Sequence, residues 1–198
     1  MARATNSVAQ LARRLWDGRK LDALVELCSS EDGLRDPKAK YYGGLAFHAK
    51  NDKRKAMESW REAMRLNPSY PEPIRALAHE LVEREDFIDA ADLFQHLIRL
   101  GKATPDDLTA LGEIAIKQDR LAEARKVLDQ ALEADPENAL ALVAMATANA
   151  HMRNREAALG YLRRAAETNE LDLSDLTSDP AFQFVWGDRE FEEIVSGG

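Results

Sequence analysis

Residues 105–138 read PDDLTALGEIAIKQDRLAEARKVLDQALEADPEN, and the spacing of apolar and small residues within this stretch decides the fold. Thr104 can cap a helix that opens at Pro105, whose fixed φ suits the first helical position. Asp106 and Asp107 favour the positive end of that helix dipole. Leu108, Leu111, Gly112 and Ala115 then share one face at helical spacing until Gln118 to Arg120 supplies a polar turn. A second helix is predicted from about Leu121, burying Leu121, Ala124, Leu128, Ala131 and Leu132. It stops ahead of Asp135 and Pro136, because the residue before a proline is pushed out of the α region. The unit is a pair of antiparallel helices. Gly112 and Ala124 are small enough to let the two backbones approach, and Leu128 fills the space beside them.

The same pattern returns every 34 residues. Ala56, Ala90, Ala124 and Ala158 keep that interval, as do Pro37, Pro71 and Pro105, the small series Gly44, Ala78, Gly112 and Ala146, and the bulky series Trp60, Phe94, Leu128 and Leu162. Four tandem units follow, at 37–70, 71–104, 105–138 and 139–172. Neither helix of a pair buries its face alone, so neighbouring pairs must stack. Two positions depart from the pattern. Lys40 stands where other copies have Ile74, Leu108 and Leu142, and Asn149 stands where they have Phe47, Leu81 and Ala115; Asn149 therefore needs a wet edge or a hydrogen-bond partner.

Upstream, residues 1–36 read as a divergent first pair. Val8, Ala9, Leu11, Ala12 and Leu15 form one apolar face, Asp17-Gly18 marks a turn, and Leu21, Ala23, Leu24, Leu27 and Cys28 form another. Downstream, residues 173–198 lose the period. Their Leu173, Leu176, Phe182, Phe184, Trp186, Phe191, Ile194 and Val195 are split by Ser178-Asp179-Pro180 and Gly187-Asp188, which is helix-start punctuation. Short helices are expected there, with Phe182, Phe184, Trp186 and Phe191 sealing the open face that Ala158, Leu162 and Ala165 leave uncovered.

Gly44, Phe47, Ala56, Trp60, Ala63 and Pro68 in the first copy, with Gly112, Ala124, Leu128, Ala131 and Pro136 in the third, resemble the signature of the tetratricopeptide repeat family. The resemblance implies an all-α solenoid of about five helix pairs plus a C-terminal cap, forming one continuous stack. The tail is similar to the aromatic, Asp-rich extension that closes many bacterial arrays of this family. It also implies that the first helix of each pair lines a concave groove that holds a peptide or an amphipathic helix of another protein. The groove positions in chain order are Val8 and Ala12; Tyr41, Leu45 and His48; Arg75, His79 and Val82; Thr109, Glu113 and Ile116; and Val143, Thr147 and Ala150. Family members that grip a chaperone's acidic tail use Lys, Asn and Arg in this groove. Here those places carry Tyr41, Leu45, Ala76, Asp106 and Ala110, so no carboxylate-clamp ligand is expected.

Composition limits the alternatives. Lys plus Arg number 27 against 35 Asp plus Glu, a net charge of −8, which disfavours a nucleic-acid partner. The single Cys28 cannot form an internal disulfide, and no apolar run is long enough for a membrane span or signal segment, so no membrane insertion and a cytoplasmic setting are expected. The four His lack metal-site spacing, and no phosphate loop, nucleophile elbow or HExxH motif occurs. The chain is expected to have no catalytic residues, cofactor or metal. Charge is uneven along it: 37–70 carries a net of +5, while 105–138 and 173–198 each carry −5. Lys50, Lys53, Arg54 and Lys55 crowd one turn and form a candidate docking patch for an acidic partner. The expected role is a scaffold or adaptor in the assembly or regulation of a larger complex. Self-association of basic and acidic surfaces is the alternative.

Overall fold

Pro37, Pro71, Pro105 and Ala139 each open a helix, and Lys53, Phe87, Leu121 and Arg155 open the helices that follow them, so both series keep the 34-residue interval. A computed structural model describes residues 7–196; positions 1–6 of the N-terminal segment and 197–198 of the tail lie outside the described residues. The chain divides into two compact units, 1–102 and 103–198, and the division falls just ahead of Pro105.

The first unit holds α1 (Val8–Asp17), α2 (Leu21–Ser29), α3 (Glu31–Arg35), α4 (Pro37–Ala49), α5 (Lys53–Leu66), α6 (Pro71–Glu83) and α7 (Phe87–Arg99). Consecutive helices pack in pairs, α1 on α2, α4 on α5 and α6 on α7. Local chemistry sets their ends. Ser7 makes a reciprocal capping box with Gln10, and the Asp36 carboxylate accepts from the Lys38 and Ala39 amides ahead of α4. Leu24, Cys28, Ala39 and Ala46 are buried together with Ala12, which is fully covered, so Ala12 belongs to the core and not to the groove. The Cys28 thiol donates to the Ala39 carbonyl at 2.9 Å, and burial pushes its pKa up to about 11, which makes it an inert packing group. The short α3 was not anticipated, because its five residues include Gly33, a poor helix former.

The second unit holds α8 (Pro105–Lys117), α9 (Leu121–Ala134), α10 (Ala139–His151) and α11 (Arg155–Thr168). Two 3-10 helices (Ser174–Ser178 and Pro180–Val185) and α12 (Arg189–Val195) follow. Thr104 and Asp107 cap α8 reciprocally, each side chain accepting from the other's amide. Between α8 and α9, a Cβ placed on Gly112 would meet Leu128 Cγ at 2.6 Å, so only glycine permits this approach. Gly44 bears the same relation to Trp60 in the first unit. Asn149 is buried, and its amide donates to the Met145 carbonyl at 2.8 Å, which answers its need for a partner.

The tail forms short helices that close the last pair. Phe182, Val185, Phe191 and Val195 are buried against Leu142, Ala146, Ala158, Leu162 and Ala165, with Phe184 partly buried beside them. The Phe182 and Phe191 rings stack at 5.7 Å. Arg155 clamps this cap by pairing with Asp188 at 2.6 Å and Glu190 at 2.9 Å, and Arg163 also pairs with Glu190. The Asp188 carboxyl is held below the usual carboxylate range by its hydrogen bond from Arg155. Trp186 is a correction. It ends the second 3-10 helix, just before Gly187 turns the chain at φ +78, and it stays 45% exposed while Val185 takes the buried place.

Every turn inside a helix pair places a residue other than glycine in the left-handed region: Arg19 at φ 54 between α1 and α2, then Asn51, Glu85, Asp119 and Arg153, which have φ between 55 and 61 and lie 34 residues apart. Each costs about 1 kcal/mol relative to an unstrained turn.

Candidate functional site

In the first unit, α4 and α6 carry the positions expected to face a ligand. Tyr41 and Leu45 are half-buried, and the Tyr41 ring packs against Tyr42 at 5.4 Å and edge-on against Tyr70 at 5.6 Å. Burial, with Glu72 as a second cause, raises the Tyr41 phenol above its usual range, and the same two influences act on Tyr70. Arg75 donates to the Lys102 carbonyl at 3.1 Å, which ties its guanidinium to the end of its own unit. His79 is exposed and meets Phe94 edge-on at 5.3 Å, with Val82 half-buried one turn on.

His48 faces a group that the sequence did not single out. Glu80 on α6 is 3% exposed, with His48 Nε2 at 3.3 Å and Lys53 Nζ at 3.2 Å. These are ion-pair distances off the hydrogen-bond direction, so both buried carboxylate oxygens lack a well-directed hydrogen bond. The signal was present: Glu80 occupies the register of Ala46, Ile114 and Ala148, an apolar series. The four cations of the candidate patch are each paired within this unit. Lys50 meets Asp22, Lys53 meets Glu83 at 2.6 Å, Arg54 meets Glu58 at 2.6 Å and Lys55 meets Asp52 at 3.1 Å. The Lys53 ammonium is raised by its hydrogen bond to Glu83.

In the second unit, α8 and α10 pack side by side and leave an open pocket of about 570 Å³. Glu113 and Ile116 of α8 line it together with Val143 and Thr147 of α10. The Thr147 hydroxyl donates to the Val143 carbonyl at 3.0 Å, so it presents its methyl group as much as its oxygen. Ile116 rests on Leu128, Ala144 and Met145, which gives the pocket a firm apolar floor. Glu113 lies open to solvent, yet protein atoms crowd the wall around it, and this desolvation raises its pKa against the lowering effect of Lys117. Asp119, from the turn after α8, and Asp179, from the tail, add two more carboxylates; Lys117 and His151 complete the charged lining. Asp119 sits in a turn, and Asp179 lies where the period has lapsed, so spacing alone placed neither in the site.

Two expected groove positions are corrected. Thr109 is 3% exposed, and its hydroxyl donates to the Pro105 carbonyl at 2.9 Å, so it is covered and its polar group is already used. Ala150 is likewise buried, on the face of α10 that receives the cap. Val8, on α1, is half-buried against the N-terminal core. Among the described residues, no group of three or more His, Cys, Asp or Glu is arranged to hold a metal ion. No described helix is long and apolar enough to cross a membrane.

The tetratricopeptide repeat family model matches residues 75–139 and 109–172. Among solved structures, the chain is similar to YrrB, described as a TPR protein with an unusual peptide-binding site, with a TM-score of 0.70 and 17% identity over 89% of this chain and 91% of that one. It is also similar to MamA from Desulfovibrio magneticus RS-1, with a TM-score of 0.71 and 17% identity over 84% and 97% of the two chains. PilF of Pseudomonas aeruginosa gives a TM-score of 0.71 and 16% identity over 96% and 86%. At these identities the likeness is one of fold. No curated protein matches the chain in sequence.

Proposed function

Since the chain belongs to the tetratricopeptide repeat family, we propose that it is a non-catalytic scaffold that binds a peptide or amphipathic helix of another protein, in the assembly or regulation of a larger complex. The observation that carries this is the α8–α10 pocket, where an apolar floor of Ile116 and Val143 is framed by polar groups in a volume of about 570 Å³. Apolar anchors from an extended segment or a helix face would fill it, with the rim fixing orientation. The half-buried Tyr41 and Leu45 of α4 offer a second apolar surface in the first unit.

The test is capture of a partner by the whole chain, with mass spectrometry to identify it. Ile116→Ala with Val143→Ala should abolish capture while circular dichroism stays unchanged. Tyr41→Ala with Leu45→Ala asks the same of the first unit. Capture that survives both folded double mutants would place binding elsewhere. Self-association is the second reading, supported by the opposite signs of 37–70 and 105–138. It predicts a mass that falls on dilution and with rising salt.

A further inference from the structure

Acidic and basic residues are divided unequally between the two units. Residues 1–102 carry 18 Lys and Arg against 16 Asp and Glu, a net of +2, whereas 103–198 carry 9 against 19, a net of −10. Within the second unit, the pocket draws carboxylates from three separate elements: Glu113 from α8, Asp119 from the turn that follows and Asp179 from the tail. Lys117 and His151 are the basic groups in the same lining. Glu113 shares this lining with Ile116 and Val143, and although its side chain is open to solvent, the protein atoms around it partly desolvate its carboxylate. A carboxylate in such a place gains more from an incoming cation than one in open water, because less hydration is displaced.

Resting on the groove reading above, we infer that this pocket selects a basic amphipathic segment of another protein. A lysine or arginine of that segment sits among Glu113, Asp119 and Asp179, and its aliphatic neighbours sit on Ile116 and Val143. The net charge of the unit draws such a segment in, and the three carboxylates fix where its cation rests. An anionic ligand is opposed by the same field. A second copy of this chain is the weaker occupant. Its densest basic surface, Lys50 to Lys55, is already paired with carboxylates of its own unit, and exchanging one exposed pair for another gains little.

The test uses the whole chain and two fluorescent helical peptides, one of Leu, Ala and Lys in amphipathic order and a twin with Gln at every Lys. Titrations in near-physiological salt compare the parent with Glu113→Gln and with Glu133→Gln, which removes an equal charge from an exposed position outside the pocket. The Lys peptide should bind the parent at least about five-fold more tightly than its twin, and Glu113→Gln should remove roughly five-fold of that affinity. Glu133→Gln should leave binding unchanged. Equal binding of both peptides would overturn the charge selection while leaving the groove intact. Binding of neither would overturn the groove reading and this inference with it. Equal losses in the two variants would reduce the effect to diffuse attraction and overturn the site. Self-association abolished by Glu113→Gln in sedimentation would make the occupant a second copy, which also overturns the proposal.

Discussion

The two units use one helix-pair pattern and spend their charge differently. In the first, a carboxylate goes inside: Glu80 takes a position that is Ile114 in the second unit, and His48 and Lys53 gather around it. In the second, the equivalent positions are the apolar Ile114 and Ala148; its one buried carboxylate among the described residues, Asp107, serves the cap of α8, and other carboxylates stand around an open pocket. Charge turned inward is consumed by the protein's own cations, whereas charge around a pocket remains available to a partner. The repeat therefore fixes the scaffold, and individual departures from it decide which unit is equipped to bind.

The largest expected effect concerns what closes the second unit. Phe182 is fully buried against α10 and α11 and stacked on Phe191. Phe182→Ala should cost about 3–5 kcal/mol, through lost burial and the cavity left behind. Amide exchange should quicken across 139–172, and unchanged protection there would show that the tail is no cap. A smaller effect, of opposite sign, tests the first unit. Glu80→Ile copies the residue of the second unit and removes two buried oxygens that lack directed hydrogen bonds. It should raise stability by about 1 kcal/mol, since buried ion pairs are often no better than apolar replacements. A lower melting midpoint would mean that the His48 and Lys53 contacts outweigh the desolvation of Glu80. The smallest concerns the turns: Glu85→Gly relieves a residue held at φ 61 and should stabilise by about 0.5 kcal/mol, read by chemical denaturation.

The helix pairs were legible because each small residue at a crossing has a fixed sequence partner. Gly112 answers to Leu128 and Gly44 to Trp60, and the prolines mark where first helices open. The pocket was legible only in part. Glu113, Ile116, Val143 and Thr147 follow from helical phase, but phase does not tell a half-exposed position from a covered one, and Thr109 and Ala150 are covered. Asp179 reaches the pocket from a segment with no period, where local turns and the packing of Phe182 set its place. Glu80 shows the converse: a charge at an apolar register position is visible in the alignment of copies, but its burial is a property of the packed helices.

The central claim is that the α8–α10 pocket is the partner-binding surface, and side-chain methyl NMR of the whole chain tests it most directly. On adding the Leu, Ala and Lys helical peptide, the methyl signals of Ile116 and Val143 should shift in a saturable way, while those of the exposed Leu34 and Ile88 in the first unit stay still. Shifts confined to the first unit, or saturable binding that leaves Ile116 and Val143 unmoved, would contradict the account.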